Sequence, residues 1–330
     1  MTKIRFEVRT RRALLAAAGI AAALVATPAQ AQKINFLLDW AWIPYHTIFL
    51  TAEDRGFYRE AGLEVKIEQG RGSATTAIVV GQGNFDIGHI NSTNVAQAIG
   101  KGVPLKSIAV YQHRSSASFA AMKEKHTLKG AESLKGLKIG STPGGSDALS
   151  LAIFKKINNI PEGAFTVVGL DGAAKRAAVL TGAVDAVSGD SHAFAAILRG
   201  AGKEPSMFLL SDYGVPLLGF GFAANEEFIK KEPQAIKRFL AATKRGFQAA
   251  IKDPKASCEF MKTKVLLTGT VEFCVDYYMG LMELSQSPDD PNWGRQTPEE
   301  WSKLVAALKS VDEIKSDKKS DDYFTNEFVP

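Results

Sequence analysis

Trp40, Trp42, Tyr45 and His46 fall within one stretch of seven residues. Together they could hold a flat molecule, the rings supplying apolar area and the imidazole a hydrogen bond. A second set of candidates stands on four polar loops: 70–75, 91–94, 140–146 and 189–192. These carry Ser73, Asn91, Ser92, Ser141, Ser146, Asp190 and His192, and Gln112 adds an amide just after another strand-like run. Helix starts offer free backbone N–H groups and the positive end of a dipole, which suit a carboxylate, sulfonate or phosphate-like oxygen. Glycines in the loops let a ligand approach the backbone closely. Any one of these loops also reads as a capped helix without a ligand. Any one of the aromatics, Tyr111 and Tyr213 included, also reads as core. The case for a site rests on their convergence.

Motifs for catalysis are missing. There is no G-x-S-x-G, no H-E-x-x-H and no G-x-x-x-x-G-K-[ST]. His89, His113, His126 and His192 lack metal-ligand spacing. The expectation is a binding site with no catalytic residue, metal or cofactor.

The elements that must position these residues alternate along the chain. An apolar strand ends at Asp39-Trp40, and Tyr45, Ile48, Phe49 and Ala52 share one helical face. Gly56 stops that helix, and Leu63, Val65 and Ile67 alternate with charges as in a half-exposed strand. In open α/β sheets, ligands sit beyond the carboxyl ends of the strands, where Trp40 and its neighbours fall. The grammar recurs: a helix at 73–81, strands at 86–91, 105–111, 119–122 and 137–141, then a helix that Ser146 should cap. A strand at 165–170, a helix at 173–180 and strands at 186–188, 207–210 and 217–223 follow. Pro233 opens a long helix closed by Asp253-Pro254, and Thr297-Pro298-Glu299-Glu300 reads as a capping box. Gly83-Asn84-Phe85-Asp86-Ile87 and Gly182-Ala183-Val184-Asp185-Ala186 each join a helix to a short strand and a polar turn. Two such units, about a hundred residues apart, predict two lobes of similar α/β build.

These motifs also resemble a known family. Leu38-Asp39-Trp40, His46-Thr47, the run from Gly56 to Val65, Gly83 to Ile87 and the tail Tyr323 to Phe328 match its marks. The chain is similar to the periplasmic substrate-binding proteins of ABC importers for sulfonates, nitrate and thiamine-precursor pyrimidines. The resemblance implies a two-lobed α/β fold of the type II periplasmic kind, with two hinge strands and a cleft between the lobes. It implies a discontinuous first lobe, 32–116 with 217–330, and a second lobe, 117–216. The crossings are expected near Ser115–Ser118 and Asp212–Leu218. It implies a monomer that captures a pyrimidine-like heteroaromatic, a sulfonate or a related small anion. The partners would be an inner-membrane ABC permease and its ATPase. It places His46 in the cleft of the pyrimidine-binding branch. The alternative is a cytosolic pyrimidine-synthesis enzyme that uses His46 chemically. Those enzymes carry a cysteine-rich, iron-linked motif, which this chain lacks.

The N-terminus reads as an export signal. Lys3, Arg5, Arg9, Arg11 and Arg12 precede an apolar stretch, and Ala29-Gln30-Ala31 is a cleavage motif. The expected mature chain starts at Gln32, in the periplasm. The whole chain holds 40 Lys+Arg and 35 Asp+Glu. Removing five basic residues and Glu7 leaves 35 against 34, so the high isoelectric point belongs mostly to the signal. No basic stripe with interleaved aromatics suggests a nucleic-acid partner. About 300 mature residues suggest more than one core. Cys258 and Cys274 are compatible with a bridge or with two buried thiols.

Overall fold

The computed structural model describes residues 31–143 and 145–330. The predicted export segment therefore lies outside the described residues except for Ala31. The first lobe begins with β1 (Gln32–Leu37), α1 (Thr47–Asp54), a short α2 (Phe57–Glu60) and β2 (Leu63–Glu68). It continues through α3 (Ser73–Gly81), β3 (Ile87–Asn91), α4 (Ser92–Gly100) and β4 (Leu105–Val110). The second lobe holds β5 (Ala117–Met122), β6 (Lys138–Ser141), α5 (Ser146–Ile157), β7 (Thr166–Gly169), α6 (Gly172–Thr181), β8 (Ala186–Asp190), α7 (Ser191–Gly200) and β9 (Pro205–Leu209). The chain then returns with β10 (Phe220–Asn225) and the helices α8 (Glu226–Lys231), α9 (Pro233–Lys252), α10 (Pro254–Lys264), α11 (Val271–Met282) and α12 (Pro298–Ser310).

The two five-stranded sheets have orders β2-β1-β3-β10-β4 and β7-β6-β8-β5-β9. They are the same design. In each, three parallel strands are followed by an antiparallel one delivered by a chain crossing: β10 in the first sheet, β5 in the second. The repeated Gly-x-x-Asp stretches hold equivalent places. Asp86 accepts the Asn35 N–H at 2.7 Å and donates its own N–H to Asn35 O at 3.0 Å. Asp185 does the same to Lys138, at 2.8 Å for both bonds. Each carboxylate thus satisfies a backbone donor on the middle strand of its lobe's parallel trio (β1, β6), just before the neighbouring strand (β3, β8) begins. The register of the parallel pair is set there.

The segments linking the lobes run side by side. Gly219 N–H donates to Gln112 O at 2.8 Å, Gln112 N–H to Phe220 O at 3.1 Å, and Ser115 N–H to Leu217 O at 3.1 Å. The strand expected from Leu217 accordingly starts only at Phe220, because 217–219 pair with the other crossing. A Cβ on Gly219 would lie 2.0 Å from Gln112 Oε1, so this position admits only glycine without displacing Gln112. One helix start in each lobe is tied to a crossing: Ser92 N–H of α4 to Gly219 O at 2.7 Å and Ser191 N–H of α7 to Ser116 O at 2.8 Å.

Local signals end the helices. Asn91, Asp171, Asn225, Asp253, Thr270 and Thr297 each cap a helix through the side chain. The Thr297–Glu300 capping box forms in both directions. Ser146 departs from expectation: Gly145 is the cap and Ser146 is the first helical residue. Asp147 is the reason, since its carboxylate turns back to the Thr142 N–H and ties down the loop that a capping serine would serve. In the first lobe α1 and α9 cover the sheet around Phe36, whose ring lies 5.0 Å from Phe49 and 5.0 Å from Phe239. Cys258 and Cys274 form a disulfide between α10 and α11, with Cα atoms 6.0 Å apart. No helix among the described residues is long and apolar enough to cross a membrane.

Candidate functional site

Asp39, at the carboxyl end of β1, is the centre of a buried network. One oxygen accepts the Tyr45 hydroxyl at 2.5 Å; the other meets His46 Nε2 at 2.9 Å and His89 Nδ1 at 2.7 Å. His89 Nε2 in turn lies 2.8 Å from the Tyr111 hydroxyl. The chemistry assigns the protons. His46 Nδ1 accepts the Ile43 N–H at 3.3 Å, so Nε2 carries the hydrogen and donates to Asp39. Burial alone would raise the Asp39 carboxyl, but the facing His89 and His46 outweigh it and hold the group well below the usual carboxylate range. Burial lowers His46 against the pull of Asp39, so its ring is neutral. Burial, reinforced by Asp39, raises the Tyr45 phenol far above its ordinary value and keeps it a donor.

Asp39, His46 and His89 are close enough to share a metal ion. The fit is poor at His46. A metal on Nε2 would move the ring proton to Nδ1, where it would face the Ile43 N–H donor to donor. The triad is better described as a hydrogen-bonded brace that stiffens the loop carrying Trp40 and Trp42.

That loop forms the rim of the first lobe. Trp40 is 44% exposed and lies over Gly72. Gly72 has φ +124°, and its N–H bonds Asp39 O at 2.7 Å, so glycine there lets the 70–72 turn dock beneath the indole. Trp42 is half-buried with its ring edge-on to His46 at 5.9 Å. Tyr45 and His46 are buried within the brace rather than on the rim. Ser73 Oγ accepts the Asn91 N–H at 3.1 Å, and Asn91 caps α4 through Thr93 N–H at 3.0 Å.

Deeper in, polar atoms are left over. Ser92 Oγ, Asn94 Oδ1, Gln112 Nε2 and both ring nitrogens of His192 are buried and have no hydrogen-bond partner among the described residues. Ser92 and Gln112 adjoin the 219–220 turn, Gln112 Oε1 accepting the Phe220 N–H at 3.0 Å. His192, in the first turn of α7, packs against Tyr45 of the first lobe at 5.8 Å and Tyr277 of α11 at 5.3 Å. Gly280 permits that approach, since a Cβ there would lie 3.1 Å from His192 Cβ. Burial lowers the His192 pKa against the opposing charges of Asp190 and Asp39.

Between the lobes, Asn91, Ser115, Ser146, Asp147 and Asp190 line a cavity of about 20 Å³, room for roughly one water. Ser146 is exposed at its edge, and Asp190, the cap residue of α7, accepts the Ser116 hydroxyl at 2.6 Å. Ser141 is buried and donates to Asp147 at 3.2 Å. A larger groove, about 810 Å³, lies along α5 between Val167 and the end of α12 and is lined mainly by Leu151, Ala152, Lys155 and Ile160. Ser141 also lines it, whereas Ser92, Asn94, Gln112 and His192 do not. Tyr213 also lies away from the seam, packed on Phe208 at 4.8 Å.

Sequence reading missed His89 as a member of this network. His89 is separated from Asp39 by fifty residues, and only the β1–β3 pairing brings them together. A histidine two places into a strand that ends in a polar turn was the available signal.

The family model described as NMT1/THI5 like matches residues 43–257. A 4-amino-5-hydroxymethyl-2-methylpyrimidine phosphate synthase of Uromyces fabae is 25% identical over 310 residues, covering 90% of this chain and 87% of its own. A formylaminopyrimidine-binding protein of Halalkalibacterium halodurans is 23% identical over 306 residues, covering 89% and 90%. The periplasmic aliphatic sulphonate binding protein SsuA of Escherichia coli superposes with a TM-score of 0.67 at 16% identity, covering 87% of this chain and 94% of its own. At that identity the likeness speaks for the two-lobed fold.

Proposed function

This chain belongs to the NMT1/THI5-like family, and we propose that it is a periplasmic solute receptor that closes on a small heteroaromatic molecule and delivers it to an ABC permease. One observation carries the reading. At the seam of the two lobes, Ser92 Oγ, Gln112 Nε2 and both His192 nitrogens are buried without partners among the described residues. Buried polar groups are normally satisfied, and each one left open costs about 1–3 kcal/mol. A ligand bearing both donors and acceptors would recover that cost, and a ring nitrogen flanked by an amine has both. Trp40 and Trp42 on the rim would cover its face.

Closure would be a hinge motion about 111–116 and 214–219, drawing its energy from contacts made only in the closed state. Asn91, Ser73, Ser141 and Ser146 would border the ligand, with Asp190 at the second lobe's edge. His46 and Tyr45 act in this reading through the brace. The disulfide supports an oxidising compartment.

The relatives named as synthases raise the enzyme reading. It would need His46 as a reacting group, whereas His46 is fully buried and bonded at both nitrogens. The sequence holds only two cysteines, both consumed by the disulfide.

Cell fractionation with N-terminal sequencing tests the location: periplasmic protein starting at Gln32 is expected, and cytosolic protein retaining Met1 would sink the reading. A thermal-shift screen of aminopyrimidines, sulfonates, nitrate and aromatic carboxylates tests the ligand. At a hundred times its dissociation constant, a true ligand adds about 2.7 kcal/mol.

A further inference from the structure

Four donors converge on a single oxygen at the second lobe's side of the seam. Asp147 Oδ2 accepts from Lys175 Nζ at 2.7 Å, Thr142 N–H at 2.8 Å, Ser141 Oγ at 3.2 Å and Ser188 Oγ at 3.3 Å. The Lys175 side chain is 7% exposed and also donates to Ser188 O at 3.0 Å. A buried ammonium, a backbone N–H and two hydroxyls beside a helix start are the donor set of an anion seat. Here the protein's own carboxylate fills it.

The seat lies at the ligand edge of the lobe. Asp147 and Ser146 line the interlobe cavity, and Asp190 faces them from the end of β8. Among the described residues, the carboxylates in this neighbourhood are Asp39, Asp147 and Asp190; the cations are the buried Lys175, which Asp147 already neutralises, and the exposed Arg176 near Tyr277. His192, unpartnered and 3% exposed, follows Asp190 by two residues. An entering anion would meet carboxylates and find the strongest donors of the second lobe committed. An uncharged or protonated nitrogen heterocycle would meet acceptors and an open imidazole.

We propose that Asp147 sets the charge of the ligand: by occupying the anion seat it bars sulfonates, nitrate and carboxylates and leaves the cleft to an uncharged or protonated nitrogen heterocycle. This rests on the receptor reading and narrows it. Asp147→Asn would keep the shape but leave the Lys175 charge uncompensated, opening the seat to an anion from solution. In Asp147→Asn/Lys175→Met the charge that draws the anion is gone.

The test uses the mature chain and a matched pair of probes, 4-amino-2-methylpyrimidine and its 5-carboxylate, followed by titration calorimetry. The wild type is expected to prefer the uncharged ring by at least about tenfold. In parallel, methanesulfonate and nitrate are added at millimolar levels in thermal melts. Asp147→Asn should melt lower than wild type and recover with either anion, while wild type and the double variant should not respond. A 5-carboxylate that binds the wild type as tightly as the parent ring would overturn the assignment of Asp147 alone. So would a folded Asp147→Asn that ignores both anions. Failure of both rings to bind would bring down the heterocycle-receptor reading and this inference with it. Should Asp147→Asn not fold, the matched pair on wild type still decides.

Discussion

His192 and Tyr45 face each other across the two lobes with ring centroids 5.8 Å apart, yet only the Tyr45 side chain finds a hydrogen-bond partner among the described residues. A side chain that costs stability where it stands is better explained by what it does for a ligand than by packing. His192→Phe removes two unpartnered nitrogens and keeps a ring of similar size. Its melting temperature should equal or exceed that of wild type. Ligand affinity should fall by at least about fivefold, near the 1 kcal/mol of one hydrogen bond. Unchanged affinity in calorimetry would remove His192 from the site.

The same residue makes a pH prediction. Burial lowers both His192 and His46 from 6.5. The unfolded chain therefore binds more protons than the folded one as pH drops below 6.5. Their contribution is complete above that value and is lost as pH falls toward the lowered folded values. Each contributes a slope of at most about 1.4 kcal/mol per pH unit. His113 works the other way: burial would lower it, but Glu300 prevails and raises it, so its contribution is present at low pH and lost as pH rises through the raised value. Denaturant curves from pH 7 to 5 should show wild type losing more stability than His192→Phe. Parallel curves would contradict a buried, neutral His192.

Asp39→Asn tests the brace. The amide keeps the shape but cannot accept from Tyr45, His46 and His89 together. Hydrogen bonds to a charged group are worth about 1.5–3 kcal/mol each, so a loss of roughly 3 kcal/mol or more in urea unfolding is expected. A loss below about 1 kcal/mol would mean that the network contributes little to stability.

Trp40→Ala separates rim from core. With 44% of its surface exposed, Trp40 should be removable with little change in melting temperature. Affinity should fall by about 0.5–1.5 kcal/mol, the worth of an aromatic contact beyond its area. Ser73→Ala, whose hydroxyl serves the Asn91 backbone, should weaken binding less. The reverse order would move the ligand face away from the indole.

Reduction tests the disulfide. Cys258 and Cys274 are both fully buried and separated by 16 residues in sequence. Closing a loop of that size contributes about 3 kcal/mol in the chain-entropy account. Urea midpoints with and without dithiothreitol should differ accordingly, and identical midpoints would show that the bridge does not constrain the unfolded chain.

Much of the architecture was legible along the chain because its signals are local. The helix at 73–81 and the helix from Pro233 to the Asp253-Pro254 stop appear where apolar spacing and proline place them, and Thr297–Glu300 closes as a capping box. Such features are settled by neighbours within a turn of helix, so the residues that decide them are adjacent in the sequence. The repeated Gly-x-x-Asp pointed to two lobes of one design, although its purpose, a carboxylate on the backbone of the middle parallel strand, needed the sheet order. The binding edge was another matter. That Tyr45 and His46 belong to a brace while Trp40 forms the rim depends on His89 and Tyr111, which arrive only through strand pairing. That Asp147 fills an anion seat depends on Lys175 from another helix, and the cysteine pairing on how α10 and α11 pack. Burial and strand order choose these partners across tens of residues, and no spacing along the chain encodes which polar groups end up facing each other out of water.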